Sequence, residues 1–163
     1  MAAAESSFDI VSQFDRQELV NAVDQADREI QQRYDLKSTG TTLDLGDDAL
    51  TITTDSDFTL KQVREVLIGK MARRQLDTRI FDWGKVEPAA KGTVRQVGKL
   101  QQGLNQDLAR EVVKAVKALP KVRPQVQGDA VRVFAKSRDD LQAAIQLVKG
   151  KEWPVPLQFT NYR

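Results

Sequence analysis

Residues 49–67, ALTITTDSDFTLKQVREVL, lie over residues 130–148, AVRVFAKSRDDLQAAIQLV, without a gap. Ala49 falls on Ala130, Leu50 on Val131, Ile52 on Val133, Ser56 on Ser137 and Leu60 on Leu141. Few identities are shared, but the apolar phase is. In both stretches an alternating run gives way to apolar residues three and four apart, which is strand followed by helix. A chain that repeats its plan in this way is held to a narrow set of folds.

The plan extends to either side of the match. From Phe8, FDIVSQ is a short strand candidate. FDRQELVNAVDQADREIQQRYD follows as an amphipathic helix through Leu19, Ala22, Val23, Ala26 and Ile30, with Asp15 as N-cap. TGTTLDLGDDALTITT reads as two strands joined at Gly46-Asp47-Asp48, with Leu43, Leu45, Leu50 and Ile52 on one face. SDFTLKQVREVLIGKMARR is a second helix, TRIFDW a further strand and EPAAKG a loop. The order then recurs. GTVRQVGKL is a strand and LNQDLAREVVKAVKAL a helix stopped near Pro120. VRPQVQ and AVRVFA form a hairpin at Gly128-Asp129, SRDDLQAAIQLVKG is a helix and PLQFTNY the last strand. Two β-α-β-β-α-β runs imply an α+β protein of two ferredoxin-like domains, each an antiparallel sheet with two helices on one face. The rival is one larger mixed α+β domain.

Composition bounds the chemistry. The chain has 163 residues, 40% hydrophobic and 29% charged, as expected of a soluble globular protein. No apolar run reaches the length of a membrane span. MAAAESSFDI lacks a basic region and a long apolar core, so a short disordered tail and a cytosolic protein are expected. Cys and His are both absent. That removes a thiol nucleophile, thiolate metal sites, the commonest general base and every Ser-His-Asp arrangement. No cofactor is called for.

Charge is divided unevenly. Residues 1–60 carry 4 basic and 13 acidic side chains, and residues 61–163 carry 21 and 10. Such asymmetry fits an anionic partner, or two surfaces that merely keep the protein soluble. No GxxxxGK[ST] or GxGxxG occurs; the Gly-Lys pairs at Gly69, Gly84, Gly98 and Gly150 are followed by Met, Val, Leu and Glu. Asp139-Asp140 resembles a catalytic pair, but SRDD fits a capping box on Ser137 better.

The hairpin offers a richer site. With Val122, Val126, Val131 and Val133 toward the helices, Arg123, Gln125, Gln127, Arg132 and Phe134 face the other way. Arg pairs with phosphate, Gln reads base edges and Phe stacks. A four-stranded sheet with such a face is how RRM modules hold RNA, although VRVFA keeps only a fragment of their signature. The face is either open to a ligand or covered by packing. Residues 110–138 hold 8 basic and 2 acidic side chains, including Arg110, Lys114, Lys117 and Lys121. Trp83 is either a stacking residue or a core contact.

SFDIVS, NAVDQADREIQQRYD, VQGDAVRV-x-x-KSRDDLQAAI and PLQFTNYR, in that order from Ser7 to Arg163, closely resemble the YajQ family of bacterial nucleotide-binding proteins. The resemblance implies two ferredoxin-like domains that exchange first strands, residues 14–103 forming one and residues 1–13 with 104–163 the other. It implies binding of nucleotide (cyclic di-GMP, GTP or ATP) or RNA, in some members alongside a transcription regulator. Carried onto this chain, the nucleotide-binding positions are Gln127, Gly128, Arg132, Lys136 and Arg138, joined by Arg123 and Phe134 from the hairpin reading. The resulting expectation is a non-enzymatic nucleotide or RNA binder, with no metal and no membrane. The alternative is a protein-interaction module that docks a regulator without needing a nucleotide; an enzyme acting on nucleotides has the least support.

Overall fold

Asp15 opens the first helix as its position suggested. Its carboxylate accepts the backbone N–H groups of Gln17 and Glu18 at 2.9 and 3.3 Å, two of the donors a helix start leaves unpaired. In this computed structural model, which describes residues 4–163, helix α1 runs Arg16–Gln32. Residues 1–3, where a tail is expected, lie outside the described residues. Four α-helices and two antiparallel sheets make up the α+β architecture of the described residues.

The chain separates into two compact units. Phe14–Gln101 forms one. It holds α1, the hairpin of β2 (Thr42–Leu45) and β3 (Ala49–Thr54), helix α2 (Asp57–Arg73), β4 (Phe81–Trp83), the two-residue β5 (Glu87–Pro88) and β6 (Val94–Leu100). Its sheet runs β2-β3-β6-β4, with β5 also pairing β6. Ser56 caps α2 by accepting the Thr59 N–H at 3.2 Å. Leu50 and Ile52 turn to the helices and meet Leu19, Ile30, Leu60, Leu67 and Met71 in a fully enclosed core.

The second unit joins the segment ending at Gln13 to Gln102–Arg163. It holds β1 (Ser6–Val11), α3 (Gln106–Val116), β7 (Arg123–Gln127), β8 (Ala130–Ala135), α4 (Arg138–Lys149) and β9 (Gln158–Thr160). The sheet order is β7-β8-β1-β9. Phe8, Ile10, Val131 and Val133 point inward from β1 and β8 onto Leu108, Val112, Ile145 and Val148. β1 therefore lies between two strands from the far end of the sequence. β6, from mid-chain, lies between β3 and β4.

Three local expectations need correction. TRIFDW is only half strand, because Asp77 accepts the Arg79 N–H at 2.8 Å and winds Thr78–Ile80 into a 3₁₀ turn first. EPAAKG is not all loop, since Glu87 and Pro88 pair with Arg95 and Val94. Val126 faces the helix side as expected, opposite Val131, but on the edge strand β7 it stays 50% exposed.

Candidate functional site

Alternation in β8 sends Val131 and Val133 into the core and leaves Arg132 and Phe134 on the opposite face. The register extends that face across the sheet. Arg132 lies opposite Gln125 on β7 and Asp9 on β1; Phe134 lies opposite Arg123 and Ser7.

The face is not a set of free cations. Arg132 donates to Asp9 twice, from Nε at 2.8 Å and Nη2 at 3.3 Å, and Asn161 adds a bond to the same carboxylate at 2.8 Å. Asp9 is only 8% exposed. The Arg132 guanidinium holds the Asp9 carboxyl below the usual carboxylate range against the opposing effect of burial, with help from Asn161 and the charge of Arg163. Arg132 is in turn held more firmly protonated by Asp9. Arg123 bonds Glu5 at 2.9 Å and lies 4.4 Å over the Phe134 ring. That aromatic face is thus already stacked, by a cation of the protein itself.

The expected residues divide into three places along β8. Arg123, Phe134, Lys136 and Arg138 gather at its C-terminal end. Lys136 and Arg138 are exposed, and among the described residues neither makes an ion pair. Arg132 sits mid-strand. Gln127 and Gly128 lie at the hairpin turn, where Gly128 takes a φ of +60°, the left-handed region that glycine enters freely. Eight residues at about 3.3 Å each put Gly128 on the order of 25 Å from Lys136. One small ligand cannot touch both.

Other candidates resolve as structure. Ser137 caps α4 by accepting the Asp139 N–H at 3.1 Å, one residue earlier than a capping box would have it. Asp139 and Asp140 sit in that helix's first turn, where the dipole favours them. Trp83 packs 4.9 Å from Phe81 in the other unit, under the guanidinium of Arg64 at 5.0 Å. Arg110, Lys114, Lys117 and Lys121 are exposed on or just after α3. A groove of about 260 Å³ between α1 and α2 is lined by Glu29, Arg33 and Lys70, whose charges already pair: Lys70 lies 3.1 Å and Arg33 3.5 Å from Glu29.

Sequence reasoning missed Tyr162 and Arg163. Asn161 takes a φ of +58° and forms a one-residue bulge, after which Ser7 and Arg163 exchange backbone hydrogen bonds at 3.1 and 3.0 Å. This fold-back carries Tyr162, 61% exposed, and Arg163 to the first turn of α4. With Arg138, Leu141, Ser6 and Ser7 they line a cleft of about 370 Å³. The signal available was the aromatic-then-basic ending NYR directly after a strand. Among the described residues no group of His, Cys, Asp and Glu gathers as a metal site, and no helix is long and apolar enough to cross a membrane.

A family described as nucleotide-binding protein YajQ-like matches residues 6–163. Similar proteins include a nucleotide-binding protein of Trichodesmium erythraeum, 57% identical over 162 residues. One of Thermosynechococcus vestitus is 56% identical and one of Trichormus variabilis 54%. In each comparison 99% of both chains is covered.

Proposed function

The chain belongs to the YajQ-like family, and from that premise we propose that it binds a nucleotide or RNA and performs no chemistry on it. The observation that carries this reading is the pair of unneutralised cations, Lys136 and Arg138, beside the Arg123–Phe134 stack. Its relatives are named nucleotide-binding proteins.

In this reading Lys136 and Arg138 face phosphate. Arg123 and Phe134 brace the strand end and Arg132 its middle rather than gripping the ligand, since Glu5 and Asp9 already hold the two guanidiniums. Gln127 and Gly128 touch only a ligand long enough to run along β8, which favours a strand of RNA for the whole face and a small nucleotide (cyclic di-GMP, GTP or ATP) for one end. We read each unit as ferredoxin-like, with β1 and β6 exchanged between the two halves of the sequence. The sheet orders support this: β6 stands beside β3 as β1 stands beside β8.

Calorimetry with cyclic di-GMP, GTP, ATP and a short single-stranded RNA tests the reading. A saturable site weakened by Lys136→Glu or Arg138→Glu supports it; no heat from a folded sample at low salt overturns it. A second reading, a module that docks another protein, draws on Tyr34 and Phe58, which are 90% and 72% exposed. Co-purification of a partner that survives Lys136→Glu and is lost on Tyr34→Ala or Phe58→Ala favours that reading.

A further inference from the structure

We propose that the cleft between the start of β1, the first turn of α4 and the fold-back after β9 holds a nucleotide with a single base, Arg138 and Arg163 taking its phosphates and Tyr162 stacking on its base. The proposal rests on the nucleotide-binding reading and deepens it, by naming the ligand class and giving the stacking role to Tyr162, whose ring lies 6.1 Å from Phe8 yet stays largely exposed.

The residue types are those the chemistry asks for. Guanidinium forks match phosphate oxygens, and a phenol ring supplies a flat apolar face for a base. Neither Arg138 nor Arg163 is in an ion pair among the described residues, unlike Arg123 and Arg132. The nearby acids are largely answered. Asp9 is held by Arg132 and Glu5 by Arg123, while Asp139 and Asp140 do not line the cleft. Ser6 and Ser7, at the start of β1, line it too.

The internal repeat supplies a control. Leu50 corresponds to Val131 in sequence. Val131 pairs with Ile10, and Ile10 with Phe159; Leu50 pairs with Gly98, and Gly98 with Trp83. Gly98 therefore stands for Ile10 and Trp83 for Phe159. Following both strands onward, Glu87 pairs with Arg95 as Arg163 pairs with Ser7. The matching place in the other unit thus has Glu87 for Arg163, Val86 for Tyr162, Asp57 for Arg138 and Arg95 for Ser7. Two cations, a ring and a serine in one copy are two acids, an aliphatic and an arginine in the other, the arginine paired with Glu87 at 3.2 Å. The fold alone does not produce the combination; one copy carries it.

Size sets the class. About 370 Å³ is near the lower end of the roughly 300–1,000 Å³ range of small-molecule sites. That suits one base, one sugar and its phosphates. A dinucleotide could place only half of itself inside.

The test uses the full chain, with GMP, GTP and cyclic di-GMP titrated by calorimetry, and backbone amide shifts followed by NMR on adding GMP. The expected result is saturable binding of GMP or GTP, with shifts centred on Ser7, Gln142 and Arg163. Arg163→Ala and Tyr162→Ala should each weaken it about tenfold, while Tyr162→Phe keeps it. Undiminished binding in both alanine variants, with shifts elsewhere, overturns this cleft and leaves nucleotide binding standing. Cyclic di-GMP bound while GMP and GTP are refused overturns the single-base class. No nucleotide bound by the unmodified protein overturns this cleft and leaves RNA as the ligand of the proposed function. The NMR shifts on unmodified protein decide the matter even if a variant fails to fold.

Discussion

Asp9 and Arg132 sit directly opposite each other on β1 and β8, joined by two hydrogen bonds across 123 residues of sequence. The pair lies mid-strand on the sheet face away from the helices, with Asp9 nearly enclosed. A lone charge left there would lose its partner without regaining full hydration.

Asp9→Asn should lower the melting temperature at neutral pH by several degrees. The Asp9 carboxyl is held below its ordinary value of 3.8 in the fold. Its stabilising contribution is therefore complete above that value and lost as the pH falls through the lower one. Melting curves of the two proteins should differ at neutral pH and converge in acid. A gap that persists undiminished in acid would assign the loss to packing instead. Arg132→Glu would set two carboxylates face to face, so it reports on stability and is a poor probe of binding.

Gly98 has no room for a side chain. A Cβ built there would meet the Trp83 ring at 2.8 Å and Phe81 at 3.2 Å. Gly98→Ala should destabilise Phe14–Gln101 by about 1–3 kcal/mol, the usual cost of overpacking. Urea unfolding measures it, and the Trp83 part of the fluorescence should shift as the ring is displaced.

RNA binding, if phosphate-led, should weaken linearly in log K against log salt, by about 0.7 per phosphate neutralised on a single strand. Removing one contact with Lys136→Ala should lower that slope by about the same amount and leave the melting temperature unchanged, because Lys136 is exposed and unpaired among the described residues. A slope identical in the variant would take Lys136 out of the interface.

Ser137→Ala removes the cap of α4 and should cost about 0.5–2 kcal/mol. The same helix start carries Arg138 into its cleft, so ligand affinity should fall with it. Restoring the cap with Ser137→Asp should recover stability, as read by thermal melting.

Deleting the segment through Gln13 should dismantle one sheet and spare the other. β1 holds the inner position between β8 and β9, whereas Phe14–Gln101 contains its own four-strand path and both its helices. Limited proteolysis should then cut within Gln102–Arg163 and leave a resistant fragment near Phe14–Gln101. Uniform digestion of the whole chain would count against that independence.

Periodicity made much of this legible. Leu141, Ala144, Ile145 and Val148 were readable as one helix face because their spacing is a local property, and all four are buried. The caps Asp15, Ser56 and Ser137 follow from chemistry within a few residues. Partners distant in sequence were not readable. Nothing near Arg132 announces Asp9, and nothing near Arg138 announces Tyr162 and Arg163. A cation looks the same in a sequence whether it meets solvent, a ligand or a carboxylate on a strand from the other end of the chain. The bulge at Asn161, which decides where the last residues go, is a single backbone angle.

The placing of β1 also bears on how the protein is made. Phe8 and Ile10, both fully enclosed in the finished sheet, are synthesised long before the two strands that flank them, β8 and β9. At about 5–20 residues per second, the 123 residues between Asp9 and Arg132 take roughly 6–25 s to emerge. Through that interval Phe14–Gln101 can fold to completion, while β1 has no sheet to enter. The topology thus leaves β1 waiting for β8 and β9 before its apolar face can be buried.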